Sequence, residues 1–360
     1  MTEELLFSPY TLGPITLKNR VVMSPMTRNR SLGNVPGENV VTYYKQRAEA
    51  GLIITEGTAP SANGLGYARI PGIYNPAQVA AWKKVTDAVH GAGGHIFVQL
   101  MHTGRVAHLA NMPEGGHPVA PSAVTLAEGI WVDPDGNQPA AAPKAMDAAE
   151  IESTIEEYAH AAECAMQAGF DGVELHGANG YLIEQFLNTA TNQRTDDWGG
   201  TIGGRSRFAL EVARRTVARI GKDRVGIRLS PFGAFNGMVA DAETVALYES
   251  LAADLSKVGL VYIHVVDHSS MGAPPVPSET KQKIHAAFNG TFILSGGYDK
   301  ARAEADLQAK LGDLVAFGRP FVSNPQLVQK LAKGSPLHAP DFATLYTPDN
   351  KGYTDYPLDA

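Results

Sequence analysis

Short β-branched runs alternate with longer amphipathic stretches along almost all of the 360 residues, and this alternation narrows the possible folds more than any other feature. Such a pattern is the mark of parallel strands joined by helices. Eight runs read as strands: residues 21–26, 52–57, 95–101, 172–176, 225–229, 261–266, 292–296 and 314–318. An open doubly wound sheet usually has five or six strands, whereas eight βα units close on themselves. The expected fold is therefore an α/β (β/α)8 TIM barrel in a single domain over residues 1–360. Helix signals between the runs agree. Residues 147–167 open on Asp147 with Glu150 three positions on, a capping-box spacing, and Gly169 closes the stretch. Before the first run, FSPYTLGPITL reads as a β-hairpin turning at Gly13-Pro14, a lid on the lower mouth of the barrel. After the third run, residues 103–145 are too long for a plain connection, and loops of that size usually cover active sites.

Composition removes whole classes of function. Hydrophobic residues make up 44% and charged residues 19%, enough apolar material for a large core. With 30 basic against 37 acidic residues, a net charge of -7 and no Lys/Arg run, no nucleic-acid partner is expected. The first ten residues carry two acids and no base, the wrong charge for a targeting peptide. No apolar run reaches the roughly 18 residues of a membrane span, so the chain reads as cytoplasmic with no membrane partner, a monomer or homodimer acting on small molecules. Cys164 is the only cysteine, which excludes an intramolecular disulfide and any zinc or iron–sulfur site built on cysteines. Its place in the helical run EYAHAAECAMQAG marks a packing residue.

In a barrel of this kind chemistry sits where strands end at the C-terminal face. The segments there are SPMTRNR, EGT, QLMHTGR, HGANGYLIEQF, RLSPFG, SGGYD and FGRPFVSNP. They hold few acids, five arginines and several neutral hydrogen-bonding groups, a set that suits a phosphate-bearing cofactor better than a metal. Gly296-Gly297 and Gly318-Arg319 allow close approach of a phosphate, or are turn glycines beside a surface arginine. His176 and Asn179 stand three apart at the end of the fourth run and can donate together to one oxygen of a carbonyl or nitro group. Tyr181 offers a phenolic proton at the same rim. Two other readings of the pair are a metal-ligating His and a core His with a capping Asn. Metal ligation lacks partners, since Glu184 lies on the following helix and no second His is close in sequence. Arg228, inside an apolar strand, must face either a barrel acid such as Glu56 or Glu174 or a bound anion. Gln99 and Met101 are two apart and share one strand face.

Taken together, SPMTR, EGT, QLMHTGR, HGANGYLIEQFLN, NQRTDDWGG with RSRF, RLSPFG, FGRPFVSNP and the terminal GYTDYP resemble the Old Yellow Enzyme family of flavin-dependent ene-reductases. The resemblance covers nearly the whole chain and implies a (β/α)8 barrel holding FMN non-covalently, with NADPH as hydride donor. It implies that Thr27 bonds the flavin O4, that Pro25, Met26 and Gly57 line the ring, and that Gln99 binds its pyrimidine edge. Arg228 would face N1 and O2, and Gly297, Gly318 and Arg319 would hold the phosphate. His176 and Asn179 would bind the substrate's oxygen and Tyr181 would protonate its α carbon, with Tyr67, Met101 and Tyr353 lining the substrate side. The implied reaction is ping-pong reduction of activated alkenes: enones, enals, maleimides and nitroalkenes. Met101 stands where many relatives place Trp, Asn236 where others have Gln, and VVDHSSMGAPP matches weakly; all three concern the substrate pocket. Thr27 in place of Cys points to the Thr-bearing branch. Two rivals remain at this stage: an FMN barrel serving as a flavin carrier or sensor, and an aldolase-type barrel, which would need a strand-end lysine that none of the segments supplies.

Overall fold

The computed structural model describes residues 4–358. Eight parallel strands form a closed barrel: β1 (Val21–Met23), β2 (Leu52–Thr58), β3 (Ile96–Leu100), β4 (Gly172–Gly177), β5 (Val225–Leu229), β6 (Tyr262–Val266), β7 (Thr291–Ser295) and β8 (Leu314–Phe317), with β8 pairing back onto β1. Every run read from the sequence is present, with ends that differ by up to three residues. A register irregularity between Ile54 and Gly57 breaks the pairing of β2 with β3 just where β2 reaches the upper rim, the usual place for a bulge that re-aims a strand end.

Alternate strand positions point inward, and their chemistry changes with height. Toward the N-terminal end, Val22, Leu52, Ile54, Phe97, Tyr262, Ile293, Leu314 and Ala316 form one apolar cluster with Leu12 and Leu17. Those two leucines belong to the expected hairpin, Tyr10–Leu12 paired antiparallel with Ile15–Leu17, which plugs the lower mouth. Gly226 makes room for this layer, because a Cβ there would collide with the Tyr262 ring. Above the apolar floor the inward residues turn polar: the parallel register sets His176 beside Arg228 and Arg228 beside His264, and Gln99 beside Glu174. A sealed floor keeps water away from these groups from below, so their charges act in a low dielectric.

The outer helices follow the local signals. Ala148–Gln167 carries the complete capping box, with Asp147 accepting from the Glu150 amide and the Glu150 carboxylate accepting from the Asp147 amide. Cys164 packs in the core of this helix, and burial pushes its thiol up. The connection after β3 is more ordered than its composition suggests, since Gly129–Val132 and Gly136–Pro139 form a hairpin and Val119–Ala120 pairs with Lys144–Ala145. After β4 come two helices, the short Leu182–Leu187 and the long Ile202–Ile220. Among the described residues, no helix is long and apolar enough to cross a membrane.

Candidate active site

At the top of β5, Arg228 is 7% exposed and makes no hydrogen bond or ion pair with any described residue; its Nε is buried without a partner. Both acids considered from sequence are engaged elsewhere. Glu56 accepts from the Arg28 amide at 3.3 Å and the Tyr44 hydroxyl at 3.4 Å, and burial raises its carboxyl to about 7. Glu174 is nearer and contributes favourable field at Arg228, but its oxygens already take hydrogen bonds from Gln99 Nε2 (2.8 Å) and the Tyr262 hydroxyl (3.1 Å) and meet His264 Nδ1 (2.9 Å). Burial lowers the Arg228 pKa, yet an arginine this basic stays charged. A desolvated guanidinium without a direct partner is costly.

His176, one strand over, is 3% exposed, with Nδ1 buried and without a partner among the described residues. Burial and the neighbouring Arg228, His264 and His268 hold its pKa well below the ordinary histidine value. It is a neutral imidazole at pH 7, a hydrogen-bond donor that carries no charge. Tyr181 packs edge-on against it with ring centroids 4.9 Å apart, and the Tyr181 hydroxyl donates to that of Tyr67 at 3.2 Å. Burial raises the pKa of both phenols.

Asn179 joins this group through an unusual backbone. It adopts φ +60° and Gly180 follows at φ +77°, two successive left-handed residues, the first of which strains any side chain. Gly180 tolerates no Cβ, which would strike the Phe235 carbonyl and the Asn236 side chain. The loop is held by the Ser230 hydroxyl, which accepts from the Asn179 amide at 3.0 Å, and by Asn236, whose amide donates to the Asn179 carbonyl at 2.7 Å. The Asn179 Oδ1 has no partner among the described residues.

The remaining residues singled out from sequence fall into three places. Pro25 is buried, whereas Met26 and Thr27 beyond β1 are half-buried, and a Cβ at Gly318 would stand 3.7 Å from the Met26 sulfur. Gly297 (φ +64°) and Arg319 are exposed at the ends of β7 and β8, a pair of open turns with amide donors. Met101 is 1% exposed, pressed against Gly57 and clustered with Ala59, Leu65 and Ile70, with Tyr67 and Tyr181 packed against the same cluster. Tyr353 is the exception, because the structure does not bring it to Tyr67 and Tyr181. Its ring is wholly buried, stacked on Tyr43 at 4.2 Å, with the Arg28 and Arg30 guanidinia 5.1 and 4.5 Å from its centre. Two cations near one electron-rich ring, together with the stack, account for that placement.

Sequence reasoning missed Glu174 as the fixed neighbour of Gln99, His264 as its third contact, and Ser230 and Glu184 beneath the Asn179 loop. Only Glu174 carried a usable signal, an acid at an inward position two residues before His176.

Fold and site together are those of a flavin-dependent oxidoreductase built on a (β/α)8 barrel. The NADH:flavin oxidoreductase / NADH oxidase family matches residues 5–338, and the chain belongs to it, within the Old Yellow Enzyme family whose motifs it carries. It is similar to chanoclavine-I aldehyde reductase of Penicillium roqueforti, 44% identical over 99% of this chain and 96% of that one. Among solved structures it is similar to morphinone reductase in complex with tetrahydroNAD (TM-score 0.93, 44% identity, 98% of each chain). The old yellow enzyme homologue of Zymomonas mobilis is comparably similar (TM-score 0.93, 39% identity, 98% of this chain and 99% of that one).

Proposed function

We propose that this chain is an NADPH-dependent ene-reductase that holds FMN non-covalently and reduces enones, enals, maleimides and nitroalkenes in two half-reactions at one shared site. The observation that carries the reading is Arg228, a buried cation without a hydrogen-bond or ion-pair partner among the described residues, directly beside a neutral imidazole. FMN, when bound, supplies the redox chemistry, taking a hydride from NADPH and giving one to the β carbon of the alkene. The donor set fits that cofactor. Thr27, Gln99 and Arg228 offer a hydroxyl, an amide and a cation to the polar edges of the ring, Pro25, Met26 and Gly57 border it, and Gly297, Gly318 and Arg319 form an open anion cradle. His176 and Asn179 donate to the oxygen of the activating group, where negative charge builds during the reaction, and Tyr181 hands its proton to the α carbon. A raised phenol pKa keeps that proton in place until it is needed. The similar proteins named for chanoclavine-I aldehyde and for morphinone support a carbonyl-bearing substrate.

The purified protein is expected to be yellow, with flavin absorption that survives dialysis and is released on denaturation. Colourless protein that takes up no FMN on reconstitution overturns the reading.

Within it, Tyr181→Phe removes one proton donor and nothing that touches the cofactor. General acid catalysis is worth about 10²–10⁴-fold, so alkene reduction slows by about that factor while flavin reduction by NADPH keeps its rate. Stopped-flow traces of the two half-reactions separate these outcomes, and equal slowing of both removes Tyr181 from the role.

A further inference from the structure

Glu184 lies on the helix Leu182–Leu187, beneath the loop that carries Asn179 and Tyr181, and is 2% exposed. Its carboxylate takes three hydrogen bonds: from the Gly180 amide at 2.6 Å, the Ser230 hydroxyl at 2.6 Å and the Tyr248 hydroxyl at 3.0 Å. Ser230 uses its oxygen in turn to accept from the Asn179 amide at 3.0 Å. One side chain thereby fixes both amides of the left-handed pair, Gly180 directly and Asn179 through Ser230. Tyr248 anchors the carboxylate from the helix Thr244–Val258. Among the described residues no cation bonds Glu184, and burial raises its carboxyl to about 7, so this buried acid does not persist as half of an ion pair. Its three donors come from three separate elements, and one of them, the Gly180 amide, belongs to the left-handed pair itself.

We propose that Glu184 is a positioning residue: through Gly180 and Ser230 it holds the Asn179 loop in the left-handed turn that presents Asn179 and Tyr181 to the substrate's oxygen and α carbon. The proposal rests on the ene-reductase reading for what the loop binds, but not for how the loop is held. Without the clasp the strained pair relaxes, because left-handed Asn is stable only when its surroundings over-determine it. His176, on the strand below, stays in place.

The test compares Glu184→Ala, Glu184→Gln and Ser230→Ala with the parent holoenzyme. The probe is 4-hydroxybenzaldehyde, whose phenolate oxygen stands in for the substrate's, titrated by calorimetry and by its charge-transfer absorption with the flavin. Hydrogen–deuterium exchange of the peptide over residues 177–183 reads the loop itself and needs no flavin. Glu184→Ala is expected to raise exchange in that peptide and weaken the phenol about tenfold, and Ser230→Ala to weaken it several-fold, about one hydrogen bond's worth. Glu184→Gln, which keeps an acceptor for the Gly180 amide, restores affinity to within about threefold of the parent. Parent-like exchange and affinity in Glu184→Ala overturn the proposal. So does a variant whose loop exchanges faster yet binds the phenol normally, or one that only melts earlier. If Glu184→Ala fails to fold, Ser230→Ala decides, and an unchanged phenol affinity there is a refutation. Protein without FMN, by contrast, refutes the ene-reductase reading and leaves the exchange experiment to judge the clasp.

Discussion

His176→Ala is expected to lower alkene reduction about 10²- to 10³-fold, the cost of removing one preorganised donor from a developing oxyanion, while the flavin content of the purified protein stays at the parent level. The expectation follows from the state of the imidazole. Burial, reinforced by Arg228, His264 and His268, keeps it neutral, so it acts as a directional hydrogen bond and not as a counter-charge. Such a donor strengthens as charge builds on the substrate oxygen and contributes less in the ground state, so the loss falls mainly on the rate of the alkene half-reaction. Removing the ring also withdraws the edge contact that sets Tyr181, so the effect exceeds that of Tyr181→Phe on substrates that need little protonation. The measurement is single-turnover oxidation of the reduced enzyme by cyclohexenone, with flavin quantified after denaturation. A variant that loses its flavin but reduces the alkene normally when resupplied gives His176 a structural role instead.

The second large effect belongs to Arg228. Replacing it with Met keeps most of the side-chain volume and removes a cation that no described residue neutralises directly. Hydrogen bonds to a charged group are worth about 1.5–3 kcal/mol, and about 1.4 kcal/mol corresponds to 30 mV for a two-electron couple. On the proposed placement of FMN, the flavin potential of Arg228→Met should therefore fall by about 30–65 mV, because the cation would stabilise the negative charge acquired on reduction. FMN affinity falls as well. The Glu174 carboxylate sits close enough to act on Arg228, and in the variant its field is no longer balanced, which moves the potential in the same direction. Spectroelectrochemical titration of variant and parent decides the matter. A variant that holds FMN at the parent's potential means that Glu174, and not the cofactor, absorbs the charge of Arg228.

Much of this protein can be read in one dimension because its decisive patterns are local. A strand of a parallel barrel is buried on both faces, so each of the eight runs stands out as a short, mostly apolar segment, and the closed order from β1 to β8 follows from their number. His176, Asn179 and Tyr181 fall within six residues at one strand end, close enough for their convergence to be inferred. The Asp147 capping box spans four residues and is present as read. The hairpin Gly129–Val132 with Gly136–Pro139 escaped notice, because four-residue strands bring too few inward positions to establish an alternation against a Pro- and Gly-rich background. Tyr353 was assigned to the substrate side from its motif alone, which carries no information about the Arg28, Arg30 and Tyr43 that surround it.

What local pattern could not decide was partnership. From sequence Arg228 had three possible partners; only closure of the barrel shows that Glu56 serves Tyr44 and that Glu174 serves Gln99, Tyr262 and His264. The Glu174 contacts span 75 to 90 residues, and the reach from Glu184 to Ser230 and Tyr248 spans 46 and 64. Strand identity is encoded in hydrophobic periodicity over five to seven positions, whereas the partner of a buried charge depends on which distant groups the closed sheet brings within about 3 Å of it and which of them already have their hydrogen bonds filled.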